Sequence, residues 1–175
     1  MDRPRGALET MSRARDFSLL LVALVATLGG CHSSPAARGP APSEVRFYLE
    51  AASGDGTPVT LPKSGVHLAV NPKPVITEGD IVNVELVKVD LGLCLLFQLT
   101  PAGVRDFYRM SVTHQGRRIA LVVDSVALGA RTIDGAVTNG VIYVFVELPD
   151  EELPALVEKL KKSSIAMQRE IARKR

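Results

Sequence analysis

CLLFQLTPAGVRDFYRMSVTHQGRRIALVVD, residues Cys94 to Asp124, decides the fold, because it reads as strand, capped helix, helix stop and strand in immediate succession. Leu95, Phe97 and Leu99 alternate as one buried face of a strand requires, and Ile119, Leu121 and Val123 repeat the pattern after the helix. Between them Thr100 is placed to cap a helix with its hydroxyl. Pro101 falls at the first helical position, where a missing N–H costs nothing, and Gly116 can take the left-handed conformation that ends a helix. Val104, Phe107 and Ser111, with Tyr108 beside them, form a stripe at helical spacing, so a helix over Thr100 to Gln115 is expected to lie against the sheet.

Upstream, Ile81 to Leu91 alternates in two phases, with Val82, Val84 and Leu86 on one and Val87, Val89 and Leu91 on the other. Such a flip predicts a bulge between Leu86 and Val87, since one extra residue turns the side chains over. Gly92 permits a tight turn into the next strand, giving an antiparallel pair. Downstream, Asp124-Ser125 reads as a turn and Val126 to Leu128 as a short return. Asn139-Gly140 is a hairpin signal ahead of Val141 to Glu147, which is apolar on both faces and is therefore expected to be central or covered on both sides. Pro149 and Asp150 open a second helix, with Leu153, Leu156, Val157, Leu160, Ser164, Met167 and Ile171 along one face. Glu158/Lys162 and Glu170/Lys174 are supporting pairs on it, and its far end is basic: Arg169, Arg173, Lys174 and Arg175. Two readings of that end stand, cations complementing a helix C-terminus in solvent or a contact with anionic lipid.

Before this, Val45 to Leu49 reads as a strand, Ser53 to Gly56 as a turn, Pro58 to Leu61 as its return and Val66 to Val70 as another extended piece. Asn71-Pro72-Lys73-Pro74 is a breaker that closes off this small β-rich entry segment, residues 44–75. The order of elements gives an α+β protein: an antiparallel sheet with two helices packed on one face, preceded by a small β-rich segment.

The N-terminus is an address. Arg3, Arg5, Arg13 and Arg15 precede an apolar run from Phe17 to Leu28, and Gly29-Gly30-Cys31 follows. The run is 12 residues, short of the roughly 20 that span a bilayer as a helix. Met11 offers an alternative start that leaves Arg13 and Arg15 as the basic region. Leu28-Gly29-Gly30-Cys31 resembles the lipobox of bacterial lipoproteins, which implies a signal peptide at 1–30 and a diacylglycerol thioether on Cys31. Two or more acyl chains make a stable anchor where one would be marginal. The expected location is the cell envelope, facing the periplasm, with His32 rather than Asp after the Cys favouring the outer membrane. Residues 31–43, rich in Ser, Pro, Ala and Gly, read as a flexible tether. The chain's net charge of +2 becomes +1 once four arginines and three acids leave with residues 1–30, so no strong field directs it to nucleic acid.

The segments ITEGDI (Ile76 to Ile81), LLFQLTPAGVRDFYRM (Leu95 to Met110), HQGRRIALVVDSVALGARTI (His114 to Ile133) and TNGVIYVFVELPDEELPALVEKLKK (Thr138 to Lys162) together resemble the head subdomain of the first periplasmic domain of SecD and SecDF, membrane proteins that assist protein export. The resemblance runs from about Ile76 to Leu160, which places a head-like domain at residues 76–163 and the basic end of the last helix at 164–175. Gly116-Arg117 before the apolar strand is its most characteristic feature. It implies a ferredoxin-like sandwich, a mobile body that contacts emerging polypeptide, and no cofactor. The chain departs from the family at Gly129-Ala130-Arg131, where the family has Ser-Ala-Pro, and in lacking Gly-Ala-Leu-Pro after Lys162. It also has no membrane helices to carry protons, so it resembles the head without its engine.

No catalytic, metal or cofactor residue is assigned. His32, His67 and His114 lack partners at ligand spacing, Gly54 and Gly56 form only a GDG turn, Ser64 and Ser125 lack a base, and Asp106 between Arg105 and Arg109 reads as a solvated helix face. Cys94, in CLLFQL, is expected to be a small buried apolar residue. The expected function is a lipid-anchored accessory module that binds unfolded or extended polypeptide in export or envelope assembly, with the apolar sheet's edge accepting a strand. The alternative is a structural lipoprotein docked permanently on a membrane protein; neither reading is an enzyme.

Overall fold

The computed structural model describes residues 42–52 and 55–174, of which 42–174 belong to one compact unit, 41–175. Residues 1–41, which include the expected signal peptide, Cys31 and most of the expected tether, lie outside the described residues. In chain order the elements are β1 (Val45–Glu50), β2 (Thr57–Thr60), β3 (His67–Ile76), β4 (Ile81–Val89), β5 (Gly92–Leu99), α1 (Pro101–Thr113), β6 (Arg118–Val123), β7 (Val126–Thr132), β8 (Val141–Val144) and α2 (Leu153–Arg173). The α+β sandwich is present, and its strands divide between two antiparallel sheets, a five-stranded one ordered β2-β3-β1-β6-β7 and a three-stranded one ordered β4-β5-β8.

The division happens in four residues. β3 ends at Ile76 and β4 begins at Ile81, and Thr77 to Asp80 make the corner. The Asp80 carboxylate accepts from the Thr77 amide at 2.9 Å and from its hydroxyl at 2.8 Å, and the Asp80 amide donates back to the Thr77 carbonyl at 2.9 Å, closing a single 3-10 turn. The Asp80 carbonyl accepts from the Thr100 amide at 2.8 Å, so the same corner receives the start of α1. Thr100 caps α1 as expected, accepting from the Gly103 amide at 3.1 Å, with Pro101 as the first helical residue.

Both sheets bury one face in the main core, and Leu68, Val70 and Ala120 of the larger sheet form a second, smaller cluster. Val45, Phe47, Leu49, Ile119, Leu121 and Val123 come from the five-stranded sheet, and Val84, Leu95, Phe97, Ile142 and Val144 from the three-stranded one. Phe107 of α1, with Val157 and Leu160 of α2, completes it. Phe47 and Phe97 meet edge to face, ring centroids 5.1 Å apart at 90°, a geometry that adds ~0.5–1.5 kcal/mol beyond the area the rings bury.

Several expectations are corrected. The segment 44–75 is no separate entry piece, because β1 is the middle strand of the larger sheet, bonded to β3 on one side and β6 on the other. β2 pairs with β3, not β1. The strand β3 runs through Asn71-Pro72-Lys73-Pro74: β2 reaches only as far as Val70, so beyond it β3 has one neighbour, and register shifts against β1 absorb the prolines. The bulge in β4 lies between Ile81 and Asn83, while Leu86 and Val87 pair regularly with Leu95 and Cys94. Helix α1 ends at Thr113, before Gln115, and Gly116, at φ +81°, turns the chain into β6 with its amide bonded to Ile133. Tyr108 is on the solvent side of α1, the buried stripe being Gly103, Phe107 and Ser111. Asn139-Gly140 closes no hairpin; the Gly140 carbonyl accepts from Leu99, and a Cβ there would fall 2.3 Å from Val104.

Gly116-Arg117 has a structural role here. The Arg117 guanidinium donates to the Glu50 carbonyl, and Arg118 donates through its amide (3.1 Å) and Nε (3.0 Å) to one Glu50 carboxylate oxygen and through Nη2 to the other. The end of β1 is thereby tied to the start of β6, and Arg118 holds the Glu50 carboxyl below the ordinary carboxylate range.

Two outcomes test this account. Phe97→Ala should lose ~3–5 kcal/mol through the cavity it leaves, read as a lower urea midpoint at unchanged slope. Glu50→Gln should cost about 1–2 kcal/mol at neutral pH, since a fork of charge-assisted bonds is lost. A depressed carboxylate pKa means stability that is fully present above the ordinary carboxylate pKa and lost as pH falls through the depressed one. The gap between Glu50→Gln and wild type should therefore close as pH falls through that range, in parallel urea titrations.

Candidate interaction surface

The three-stranded sheet has two apolar faces and the core uses one. Val84, Leu95, Phe97, Ile142 and Val144 point inward, so period-two alternation sends Asn83, Glu85, Val87 and Val89 of β4, Cys94, Leu96 and Gln98 of β5, and Tyr143 of β8 to the opposite face. Both helices put their apolar stripes in the core on the first side. The strand expected to be central or covered on both sides is neither, since β8 is an edge strand of its sheet. Tyr143 is 40% exposed and Val89, on the same face, 37%, and Phe145, just beyond the end of β8, is 41% exposed. One end of the face is polar, with the Asn83 amide bonded to Glu85 (2.8 Å) and Gln98 (3.2 Å). The other end is apolar and leads to the β4–β5 turn, where Leu91 is 84% exposed.

The strand expected over Val141 to Glu147 stops at Val144 because the chain crosses to the other sheet. The Glu147 amide donates to the Leu128 carbonyl of β7 at 2.7 Å. A Cβ on Gly129 would lie 2.2 Å from the Phe145 carbonyl oxygen, so this crossing needs glycine in β7. The Glu147 carboxylate then accepts from the amides of Lys63 and Ser64, both at 2.8 Å. Burial pushes this carboxyl up, but those bonds and the Ser64 hydroxyl outweigh it and hold it low.

Sheet edges were expected to receive a strand, and the structure leaves little edge to add to. β4 is flanked by α2, whose Gln168 amide donates to the Ile81 carbonyl at 3.1 Å. The free side of β8 meets Arg131, which donates to the Tyr143 carbonyl at 3.4 Å, and β7 is bonded to Glu147. β2 is four residues long and contains Pro58. The available surface is thus a face, not an edge.

The other singled-out residues are not brought together. Cys94 is buried opposite Val87, and burial pushes its thiol up against a smaller opposing effect of Arg131, so it is a packing residue. His67 bonds Thr60 across β2–β3 at 2.8 Å, and His114 Nδ1 meets the Met110 carbonyl at 2.9 Å where α1 ends. Ser64 accepts from the Val66 amide within its own turn, and Ser125 sits at φ 70° in the β6–β7 turn. Asp106 lies 4.0 Å from Arg109 on an exposed helix face. His32, Gly54 and Cys31 lie outside the described residues. Among the described residues no group of three or more His, Cys, Asp or Glu is placed to hold a metal ion, and no helix is long and apolar enough to cross a membrane.

This arrangement of strands has solved counterparts. A SecDF in a super-membrane-facing form superposes with a TM-score of 0.57 at 18% identity, over 69% of this chain and 19% of that one. The fold is shared with SecDF. A second structure, of a membrane component SecDF that enhances protein export, matches with a TM-score of 0.55 at 18% identity, over 92% of this chain and 71% of that one. A span of 92% reaches well outside Ile76 to Leu160, so the SecDF-like part takes in more than the head-like segments read from sequence. The chain spans about a fifth of the first SecDF chain. No family model matches the sequence, and no curated protein does.

The signal for the exposed face was in the sequence, in Val87, Val89 and Leu91 and in the two-sided β8. It reads equally as a bulge or as a covered strand, because alternation shows which residues share a face and not what lies over it. Replacing Tyr143 and Phe145 together by Ser should cost about 1 kcal/mol each, well under a core truncation, since both are already part-exposed. The same variant should lose most of the protein's binding to an apolar fluorescent dye, measured by titration at neutral pH.

Proposed function

We propose that this chain is a non-catalytic binding module of the bacterial envelope, held by lipid on Cys31 at the periplasmic face, that contacts extended polypeptide during export or envelope assembly. The observation that carries the reading is the group of exposed apolar side chains at the three-stranded sheet, Val89, Leu91, Tyr143 and Phe145, on a fold shared with a membrane component that enhances protein export. Exposed apolar patches with a polar rim are interaction sites more often than accidents. Tyr143 beside Leu96, with Val89 and Leu91 toward the β4–β5 turn, would hold apolar side chains of an unfolded segment, while Asn83, Glu85 and Gln98 offer polar partners at one end. The basic region, apolar run and Leu28-Gly29-Gly30-Cys31 support the anchor, and His32 favours the outer membrane.

Residues 41–175, labelled for amide NMR and titrated with an unfolded apolar peptide to high micromolar, should show shifts clustered at 85–96 and 143–145. Unmoved signals there would sink the peptide-binding reading. A membrane protein that stays bound through mild detergent extraction and is released by Tyr143→Ser with Phe145→Ser would point to permanent docking, the structural-lipoprotein alternative.

A further inference from the structure

The last turns of α2 are not held by the core. Buried positions on α2 end at Ser164; beyond it Met167, Gln168 and Ile171 are half-buried, while Ile165, Ala166, Arg169, Glu170, Ala172, Arg173 and Lys174 are exposed. Helix-dipole complementation needs a cation in the final turn, which Arg173 provides. Arg169 and Lys174 are then surplus, and only one acid, Glu170, sits among them, 2.7 Å from Lys174. The net charge of this stretch is positive even after that pair is discounted.

The described chain begins beside these residues. Pro42 shares a surface cleft of about 460 Å³ with Ala166, Met167, Glu170, Arg173 and Lys174, and Ser43 is fixed there by its amide, which donates to the buried Ser163 hydroxyl at 2.8 Å. The chain therefore enters the described body at Pro42, at the basic end of α2. From Cys31 to Pro42 is 11 residues, at most about 39 Å of extended chain and ~18 Å as an average for a coil of this length. An anchor at Cys31 thus holds this end of the body, more than any other, near the bilayer surface.

We propose that the exposed basic face of α2, Arg169, Arg173 and Lys174, docks on the anionic headgroups of the membrane that carries the anchor. This rests on the reading of Cys31 as lipidated. The docking sets the body's orientation: the end from which the tether leaves lies on the membrane, and the chain is held there by charge as well as by acyl chains. A second signal of this kind strengthens binding about five-fold for each basic residue near an anionic surface.

The full chain, made with its leader in a bacterial host and purified in mild detergent, is reconstituted into vesicles of phosphatidylcholine alone or with phosphatidylglycerol added. Both contain a phospholipid with a photoactivatable headgroup. Flotation with the neutral vesicles reports the anchor independently. Labelling of residues 165–174 should be at least about tenfold higher in the anionic vesicles, should fall to the neutral level in 1 M salt, where the screening length is ~3 Å, and should be lost in Arg169→Gln with Arg173→Gln. Equal labelling of this stretch in the two vesicles overturns the docking while leaving the anchor standing. Should the chain fail to float with neutral vesicles, the anchor reading falls; flotation with anionic vesicles alone then still supports the basic face, and flotation with neither overturns it.

Discussion

Two sheets can share one core only if their inner faces meet, and here they meet at Phe47 and Phe97. The rings are fully buried and cross at right angles, with each strand's neighbours packed around them. Phe47 is in the central strand of the larger sheet and Phe97 in the central strand of the smaller one. The helices, the corner at Thr77 to Asp80 and the crossing at Glu147 all serve to hold those two strands face to face. Because protein interiors are close-packed, a gap at this contact cannot be taken up by a small slide of either sheet.

The same geometry explains why one face is left over. A five-stranded and a three-stranded sheet have four faces between them; the main core takes one from each, and Leu68, Val70 and Ala120 form a second small cluster. Helix α2 lies against the inner side of the smaller sheet and along β4, and on the outer side Cys94 is buried while Tyr143 and Val89 stay part-exposed. The edges, by contrast, are closed by Gln168, Arg131, Glu147 and Pro58. Blocked edges restrain self-association through backbone pairing, and they leave side chains, not backbone groups, as what the smaller sheet presents to its surroundings.

Segments quoted for the likeness to SecDF turn out to be joints. Ile76 to Ile81 is the corner between sheets, with Asp80 capping the turn and receiving α1. Gly116-Arg117-Arg118 stitches the end of β1 to the start of β6 through Glu50. At Gly129, where the sequence departs from the family, a side chain would collide with the Phe145 backbone. These are roles in architecture, which agrees with a likeness that is one of fold.

Local chemistry was enough for the elements whose causes lie within a few residues. Thr100 and Pro101 announced α1, alternation announced β5 and β6, and spacing on α2 gave its buried stripe, because caps, pleats and helical faces are short-range properties. Misreadings came where a distant neighbour overrides a local rule. Asn71-Pro72-Lys73-Pro74 looks like a break until one sees that β3 has no partner on one side there. Val141 to Glu147 looks like one strand until Gly129 and Leu128 draw its second half to the other sheet. Which apolar face is covered, which edge is closed, and that the chain leaves its body beside Arg173 and Lys174 are facts of packing between residues far apart in the chain. Pairwise contact across long sequence separation leaves no periodic trace, and so only the folded molecule settles it.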